Sequence, residues 1–271
     1  MNNQKRPIGI FDSGIGGLTV AKAVKEALPH EDIIYFGDTA RVPYGIKSEE
    51  TVRMYAMEIT QFLLDKGVKM ILIACNTVSA SAKEDVVRLA GEVPVLDVIS
   101  SGVQIIKEEL RVSEPTVGVI GTLATVRSEA YKKALESSYS QIQVVQEACP
   151  LLVPLAEEGW IDHAVARLTL EHYLQAFQDQ SLDAIILGCT HYPLFKPLIS
   201  ELLSSKETLI IDSAVSIART AKEYLEHQDG CNNQGGSFSC YVSDRPQRFQ
   251  ELAERFLGHE LSHIEIVRDW T

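Results

Sequence analysis

The sequence has no excess of basic residues: 25 Lys and Arg stand against 37 Asp and Glu, for a formal net charge of −12. Binding to nucleic acid or to an anionic membrane surface requires clustered positive charge, so neither partner is expected. The sequence also has no run of about 18 apolar residues, the length that a membrane-spanning helix needs. The acidic balance is explained most simply by a soluble surface.

A secretion signal is not expected either. The start of the chain, MNNQKRPIGIFDSGIGG, has a short apolar run that an aspartate and glycines interrupt at once. The cysteines number five, an odd count that argues against a disulfide framework in a chain of 271 residues. We therefore expect reduced thiols and a cytoplasmic location. The hydrophobic fraction of 45% allows a sizeable core in one large domain or two ordinary ones.

Short apolar runs alternate with longer helical patterns along most of the chain. The runs predict strands at Pro7–Asp12, Asp32–Gly37, Met70–Cys75, Pro94–Ile99, Thr116–Gly121, Ile142–Ala148, Asp183–Cys189, Thr208–Ile211, Ser237–Ser243 and His263–Arg268. The longer patterns predict helices such as Glu49–Lys66, Ser79–Ala90, Asp162–Gln178, Ser213–Glu226 and Pro246–Phe256. This alternation indicates an α/β fold with mainly parallel sheets flanked by helices.

The two halves of the chain repeat one pair of segments. In the first half the strand GIFDSG is followed by ILIACNT, and in the second half VGVIGT is followed by AIILGCT. From Ile10 to Cys75 is 65 residues, and from Ile120 to Cys189 is 69 residues. Two pairs of matched segments at nearly equal spacing predict two structurally similar domains.

Cys75 and Cys189 each lie at the carboxyl end of a predicted buried strand, where open α/β sheets bind ligands. We expect the two strand ends to face each other across a cleft between the domains. One thiolate would then remove a proton from a substrate carbon, and the opposite thiol would return one to the other face. An unperturbed thiol pKa of about 8.5 allows both forms near neutral pH. The alternative is that both are small buried side chains, as free cysteines often are.

Two polar segments follow the first two predicted strands. FDSGIGGLT contains Asp12 and does not have the spacing of a dinucleotide-binding fingerprint. Asp12 would repel phosphate but could bind an ammonium group or orient a thiol, and a capped tight turn explains the segment about equally well. In GDTARVPYG, Tyr44 and Gly45 could donate to a carboxylate, although a plain loop explains this segment better.

His191 and a pair of glutamates are the remaining candidates. His191 follows Cys189 by two residues, where it could polarise the thiol or stabilise its thiolate. A second Cys/His pair at zinc-site spacing is lacking nearby, so no metal is expected. Glu157 and Glu158 stand where VPYG stands in the first half; a glutamate there could mirror Asp12, and a solvated helix-end pair is the alternative.

The motifs DSGIGGLT, GDTARVPYG, ACNTVSA, ACPLLVPLAEEG and GCTHYPL together resemble those of the bacterial glutamate racemases, over nearly the whole chain. The resemblance implies interconversion of L- and D-glutamate without pyridoxal phosphate, metal, nucleotide or any other cofactor. The D-glutamate would go to peptidoglycan. It also implies that Cys75 and Cys189 are the acid/base pair, and that Asp12, Glu157 and His191 assist them.

The resemblance implies a substrate-binding set as well: Asp12, Ser13, Tyr44, Gly45, Asn76, Thr77, Thr190 and His191. Glu157 is chosen over Glu158 because the first glutamate of the pair matches the family pattern. The implied architecture is two α/β domains with the site between them, the first at 1–98 plus 209–271 and the second at 99–208. It is compatible with a homodimer.

Three other functions remain open from the residues alone. An aspartate racemase of the same superfamily would share the two cysteines and differ in substrate length. A thiol hydrolase or decarboxylase would need only one essential cysteine and would consume its substrate irreversibly. A solute-binding or redox-sensing protein would bind without isotope exchange, or would form a disulfide between Cys75 and Cys189.

Overall fold

The fold is that of a computed structural model, which describes residues 3–203, 207–244, 249–261 and 264–268. Its strands, in chain order, are β1 (Ile8–Asp12), β2 (Ile33–Gly37), β3 (Met70–Ile73), β4 (Val95–Asp97), β5 (Thr116–Gly121), β6 (Gln143–Ala148), β7 (Ala184–Gly188), β8 (Leu209–Asp212), β9 (Phe238–Val242) and β10 (Ile264–Ile266). They form two sheets, and each sheet belongs to one of two compact units.

Helices connect most of these strands, as the alternating sequence pattern predicts. In chain order they are α1 (Leu18–Ala27), α2 (Glu49–Asp65), α3 (Asn76–Ala90), α4 (Val98–Glu109), α5 (Leu123–Ser128), α6 (Ala130–Glu136), α7 (Leu152–Glu157), α8 (Ala164–Leu174), α9 (Lys196–Leu202), α10 (Ser213–His227) and α11 (Phe249–Leu257). None of the helices in the described part of the chain is long and apolar enough to cross a membrane.

The first unit is formed by Met1–Val98 and Ala214–Thr271. Its sheet has the order β10-β9-β2-β1-β3-β4, and every neighbouring pair is parallel. Strand β1 is buried along its whole length, which agrees with its continuous apolar sequence. Since β2 and β3 pair with opposite edges of β1, the carboxyl ends of β1 and β3 border a topological switch point, a common place for ligand binding.

The second unit is formed by Ile99–Ser213, and its sheet has the order β6-β5-β7-β8, again all parallel. This order repeats the order β2-β1-β3-β4 of the first sheet. Strand β5 therefore corresponds to β1, and β7 corresponds to β3. The predicted fold class, two similar α/β units with parallel sheets flanked by helices, is confirmed.

Two predicted boundaries differ from the structure near the ends of strands. The strand predicted at Pro94–Ile99 ends at Asp97, because Val98 and Ile99 already belong to α4. The chain was predicted to return to the first domain at residue 209. Strand β8 instead pairs with β7, and this pairing holds residues 209–212 in the second sheet.

The start of α3 also differs from its prediction at Ser79. The helix begins at Asn76, directly after β3, and Cys75 is its N-cap residue. The Ser79 hydroxyl donates to the Cys75 carbonyl oxygen at 2.9 Å, inside the first turn. The Ser79 hydroxyl therefore bonds back to the preceding turn and does not cap the start of a helix. The predicted helix Pro246–Phe256 is observed as Phe249–Leu257, and Pro246 lies outside the described residues.

Candidate active site

Cys75 lies between the carboxyl end of β3 and the first turn of α3. As the N-cap residue it has an extended backbone, with φ −73° and ψ 120°, and only 5% of it is exposed. Asn76 and Thr77 follow in the first turn of the helix and are 2% and 4% exposed. The predicted residues of ACNT therefore lie together at a helix N-terminus, where backbone N–H groups lack intrahelical partners.

The surroundings of Cys75 favour a neutral thiol. Burial, and after it the charge of the nearby Asp12 carboxylate, raise the pKa of Cys75 to about 12. Hydrogen bonds from the backbone N–H of Val78 and from the hydroxyl and N–H of Ser13 act in the opposite direction. Burial and the Asp12 charge outweigh these hydrogen bonds, so the pKa of Cys75 stays high. Cys75 therefore carries its proton near neutral pH and is suited to donate it.

Asp12 organises the glycine-rich turn at the end of β1. Its Oδ2 accepts hydrogen bonds from the N–H of Gly14 at 3.1 Å and from the N–H of Gly17 at 2.9 Å. The buried Tyr35 hydroxyl donates to the Gly14 carbonyl at 2.8 Å. These two N–H groups of the turn therefore bind the protein's own carboxylate, and this bonding fixes Asp12 beside Cys75.

Tyr44 is fully buried, and its hydroxyl donates to the Asp38 carboxylate. Gly45 follows in the same short helical turn, Tyr44–Ile46, and is half-buried. Asp38, which was not among the predicted site residues, is fully buried directly after β2. Its position was the available signal, because Asp12 ends the neighbouring strand in the same way.

Cys189 holds in the second unit the place that Cys75 holds in the first. It follows β7, the counterpart of β3, and is 6% exposed. Thr190 and His191 continue the turn and are 4% and 7% exposed. The turn leads into a short 3₁₀ helix, Tyr192–Phe195, and the Tyr192 N–H donates to the Cys189 carbonyl at 3.1 Å.

His191 links Cys189 to Glu157. Its Nδ1 lies 3.8 Å from the Cys189 sulfur, and its Nε2 lies 3.1 Å from Glu157 Oε1. Burial lowers the pKa of His191, but hydrogen bonds and charge from Cys189 and Glu157 outweigh it and raise the pKa to about 10. Glu157 ends α7, whereas Glu158 follows it and is exposed.

The two thiols therefore have opposite electrostatic surroundings. Cys75 lies beside the Asp12 carboxylate, which disfavours a second negative charge. Cys189 lies beside His191, whose pKa of about 10 places a positive charge next to this sulfur near neutral pH.

The structure groups the predicted residues by unit. The first unit brings Asp12 and Ser13 to Cys75, with Asn76 and Thr77 next to it in the chain. The second brings His191 and Glu157 to Cys189. Among the described residues, no three His, Cys, Asp or Glu side chains are grouped as metal ligands.

The fold and the site together define a class of protein. Its members have two doubly wound α/β units, each with a buried cysteine after its third strand. A sequence profile of the Asp/Glu/hydantoin racemase family matches residues 17–221. The chain belongs to this family. Because racemases are isomerases, the predicted resemblance and enzyme class are confirmed.

Its relatives include two bacterial proteins named glutamate racemase. The one from Chlorobaculum tepidum is 49% identical over 96% of this chain and 96% of its own length. The one from Syntrophus aciditrophicus is 47% identical over 97% of this chain and 96% of its own length. A crystal structure of glutamate racemase from Francisella tularensis in complex with D-glutamate has a TM-score of 0.91 and 42% identity, and covers 97% of this chain and 98% of that one.

Proposed function

We propose that the protein interconverts L- and D-glutamate by a two-base mechanism in which Cys75 and Cys189 are the catalytic residues. The observation that carries the proposal is the equivalent placement of two buried thiols after the third strand of each unit. Inversion at a carbon bearing one acidic hydrogen requires a base for one face and an acid for the other. Two matched domains that each supply one thiol provide such a pair.

The proposed reaction moves two protons. The thiolate of one cysteine removes the Cα proton, so a C–H bond breaks and an S–H bond forms. The thiol of the other cysteine delivers its proton to the opposite face, so an S–H bond breaks and a C–H bond forms. The reverse reaction exchanges the two roles. In the resting protein the protonated His191 lies beside Cys189, and burial with Asp12 keeps Cys75 protonated.

The difficult step is removal of a weakly acidic Cα proton beside an ionised carboxylate. Without an electron sink, hydrogen-bond donors must stabilise the carbanionic charge in a site that excludes water. Asn76, Thr77 and Thr190 are buried polar residues adjacent to the two thiols and suit this task. We assign Ser13, Tyr44 and Gly45 to substrate binding beside them.

The names of the relatives support glutamate over aspartate as substrate, since proteins 47% and 49% identical to this chain are glutamate racemases. The D-glutamate complex of the Francisella tularensis protein supports the same choice. In this proposal the product D-glutamate enters peptidoglycan synthesis. The enzyme works in the cytoplasm with its thiols reduced, and all five cysteines are free in the structure.

The proposal is tested with extensively dialysed protein and L-glutamate in D2O, without added cofactor. Circular dichroism and NMR follow the optical activity and the Cα deuterium. Loss of optical activity with deuterium incorporation is the expected result. Parallel samples with L-aspartate separate the two racemases of the superfamily, because faster exchange of aspartate would assign the other substrate. Unlabelled and optically intact glutamate would contradict the proposed function.

The pH dependence should report the Cys189–His191–Glu157 chain. Racemisation is expected to fall as the pH rises through about 10, where His191 loses its proton and no longer stabilises the Cys189 thiolate. Glu157→Gln removes a charge that raises the pKa of His191, so this variant should lose activity at lower pH than the wild type. The measurement is the pH profile of kcat/KM.

Glu158→Gln is the matched control, because Glu158 is the adjacent exposed glutamate. In its pH profile, kcat/KM should fall at the same alkaline pH as in the wild type. Equal shifts in both variants would show that His191 responds to the general charge of this region, and the specific role of Glu157 would be wrong.

A further inference from the structure

The loop of residues 38–45, which carries Tyr44 and Gly45, is fastened by a distant part of the chain. Strand β9 runs parallel to β2, with Val242 opposite Gly37, so both strands end at the same level of the sheet. The Ser243 N–H donates to the Gly37 carbonyl at 3.2 Å. The residues that follow β9 consequently lie against the start of the loop.

Ser243 and Asp244 make reciprocal hydrogen bonds with three consecutive residues of the loop. The Ser243 hydroxyl donates to Asp38 Oδ1 at 2.7 Å and accepts from the Ala40 N–H at 2.9 Å. The Asp244 N–H donates to Thr39 Oγ1 at 3.0 Å, and the Thr39 hydroxyl donates to the Asp244 carbonyl. The contacts span 203 to 205 residues of sequence, so only the sheet brings these partners together.

Asp38 connects Ser243 to the end of the loop that carries Tyr44 and Gly45. It is fully buried, and its Oδ2 accepts from Arg41 Nε at 2.6 Å and from the Tyr44 hydroxyl. Arg41 also pairs with Glu58 of α2. Three donors therefore surround one buried carboxylate, and among the described residues only the Ser243 hydroxyl donates to its Oδ1, so removal of that hydroxyl would weaken the hold on Asp38.

We propose that Ser243 is a positioning residue of the active site, acting through Asp38 and Ala40 on Tyr44 and Gly45. This inference rests on the proposed function, in which Tyr44 and Gly45 bind the substrate. The proposed role of Ser243 also gives a functional reason for the return of the chain to the first unit after β8. The returning strand β9 supplies the hydroxyl that sets the conformation of a loop at the other end of the sequence.

Steady-state kinetics of Ser243→Ala and Ser243→Thr in the full-length protein test the proposal. Ser243→Ala should raise KM for glutamate roughly tenfold, the effect of losing one hydrogen bond that positions a binding group, with a smaller change in kcat. Ser243→Thr keeps a hydroxyl and should restore most of the affinity. Equal losses in both variants would overturn the proposal, because the hydroxyl would then not be the responsible group.

Ser237→Ala is the matched control. Ser237 lies at the opposite end of the same strand pair, where its hydroxyl donates to Asp32 Oδ1 at 2.6 Å. The substitution removes a serine–aspartate hydrogen bond between the same two chain segments, away from the carboxyl ends of the strands. Its KM should equal that of the wild type, and a rise matching that of Ser243→Ala would overturn the proposal.

Hydrogen exchange gives a readout independent of activity. The Ala40 amide, which donates to the Ser243 hydroxyl, should exchange faster in Ser243→Ala, while amides of β1 keep their protection. If the wild type racemises glutamate and Ser243→Ala has the same KM, this inference would be wrong and the proposed function would stand. A wild type that does not exchange the Cα proton of glutamate would overturn the proposed function itself.

Discussion

Cys75→Ser and Cys189→Ser are each expected to reduce racemisation of glutamate by on the order of 10³-fold. A serine hydroxyl has nearly the shape of the thiol but is a far weaker acid, so it neither forms the base nor delivers the proton at neutral pH. Both side chains are almost fully buried, and the near-isosteric change should preserve the packing. The measurement is the rate of change of circular dichroism starting from each enantiomer.

Isotope exchange sharpens this test. Each single variant retains one thiol, so it should still exchange the Cα proton of one enantiomer with D2O without inverting it, and the two variants should act on opposite enantiomers. Cys231→Ser is the control, because Cys231 is a partly exposed free cysteine outside the candidate site, and it should keep wild-type activity. Full racemisation by either active-site variant would refute the two-thiol mechanism. Only one essential cysteine would favour the hydrolase or decarboxylase alternative.

Gly17→Ala is expected to destabilise the first unit and to impair catalysis together. A Cβ at Gly17 would lie 2.4 Å from the Cβ of Asp12 and 2.9 Å from the Tyr35 hydroxyl, closer than real contacts allow. Overpacking of this kind typically costs about 1–3 kcal/mol. The clash also falls on the carboxylate that accepts the Gly17 N–H at 2.9 Å, so Asp12 would move relative to Cys75. Urea unfolding and steady-state kinetics measure the two effects.

Gly102→Ala provides the comparison for this substitution. Gly102 lies within α4, and an added Cβ would meet its nearest neighbours at 3.7 and 3.8 Å, ordinary contact distances. Alanine is favoured over glycine in a helix by about 1 kcal/mol, so this variant should be at least as stable as the wild type. If Gly17→Ala unfolded at the wild-type urea concentration with unchanged kinetics, the tight packing of the turn against Asp12 would be wrong.

The strands and the position of the two cysteines could be predicted because their signals are local. Continuous apolar runs rich in Ile and Leu indicated β3 and β7, and the polar residues after each cysteine indicated where those strands end. The start of α3 was harder to predict, because Ser79 is a typical capping residue but lies inside the first turn. Local preference for a cap was overridden by the direct passage from β3 into the helix.

Asp38 and Ser243 show what sequence reasoning could not reach. Asp38 lies within the motif GDTARVPYG, but nothing in that motif indicates its partner, and Ser243 follows β9 without a motif. The hydrogen bond between them joins residues 205 positions apart. The boundary at 209 was misplaced for the same reason, because strand order decides which sheet receives β8. Sheet order depends on pairings between distant segments, and these leave little trace in local composition.

The sequence by itself determined the α/β class, the duplicated design and the two thiols at strand ends, because periodicity and motif spacing act over short stretches of chain. Only the tertiary structure decided which groups surround each thiol. It placed Asp12 and Ser13 at Cys75, and the pair of His191 and Glu157 at Cys189. These neighbours set the opposite charge environments of the two cysteines, since electrostatic interactions depend on distance in space rather than on separation along the chain.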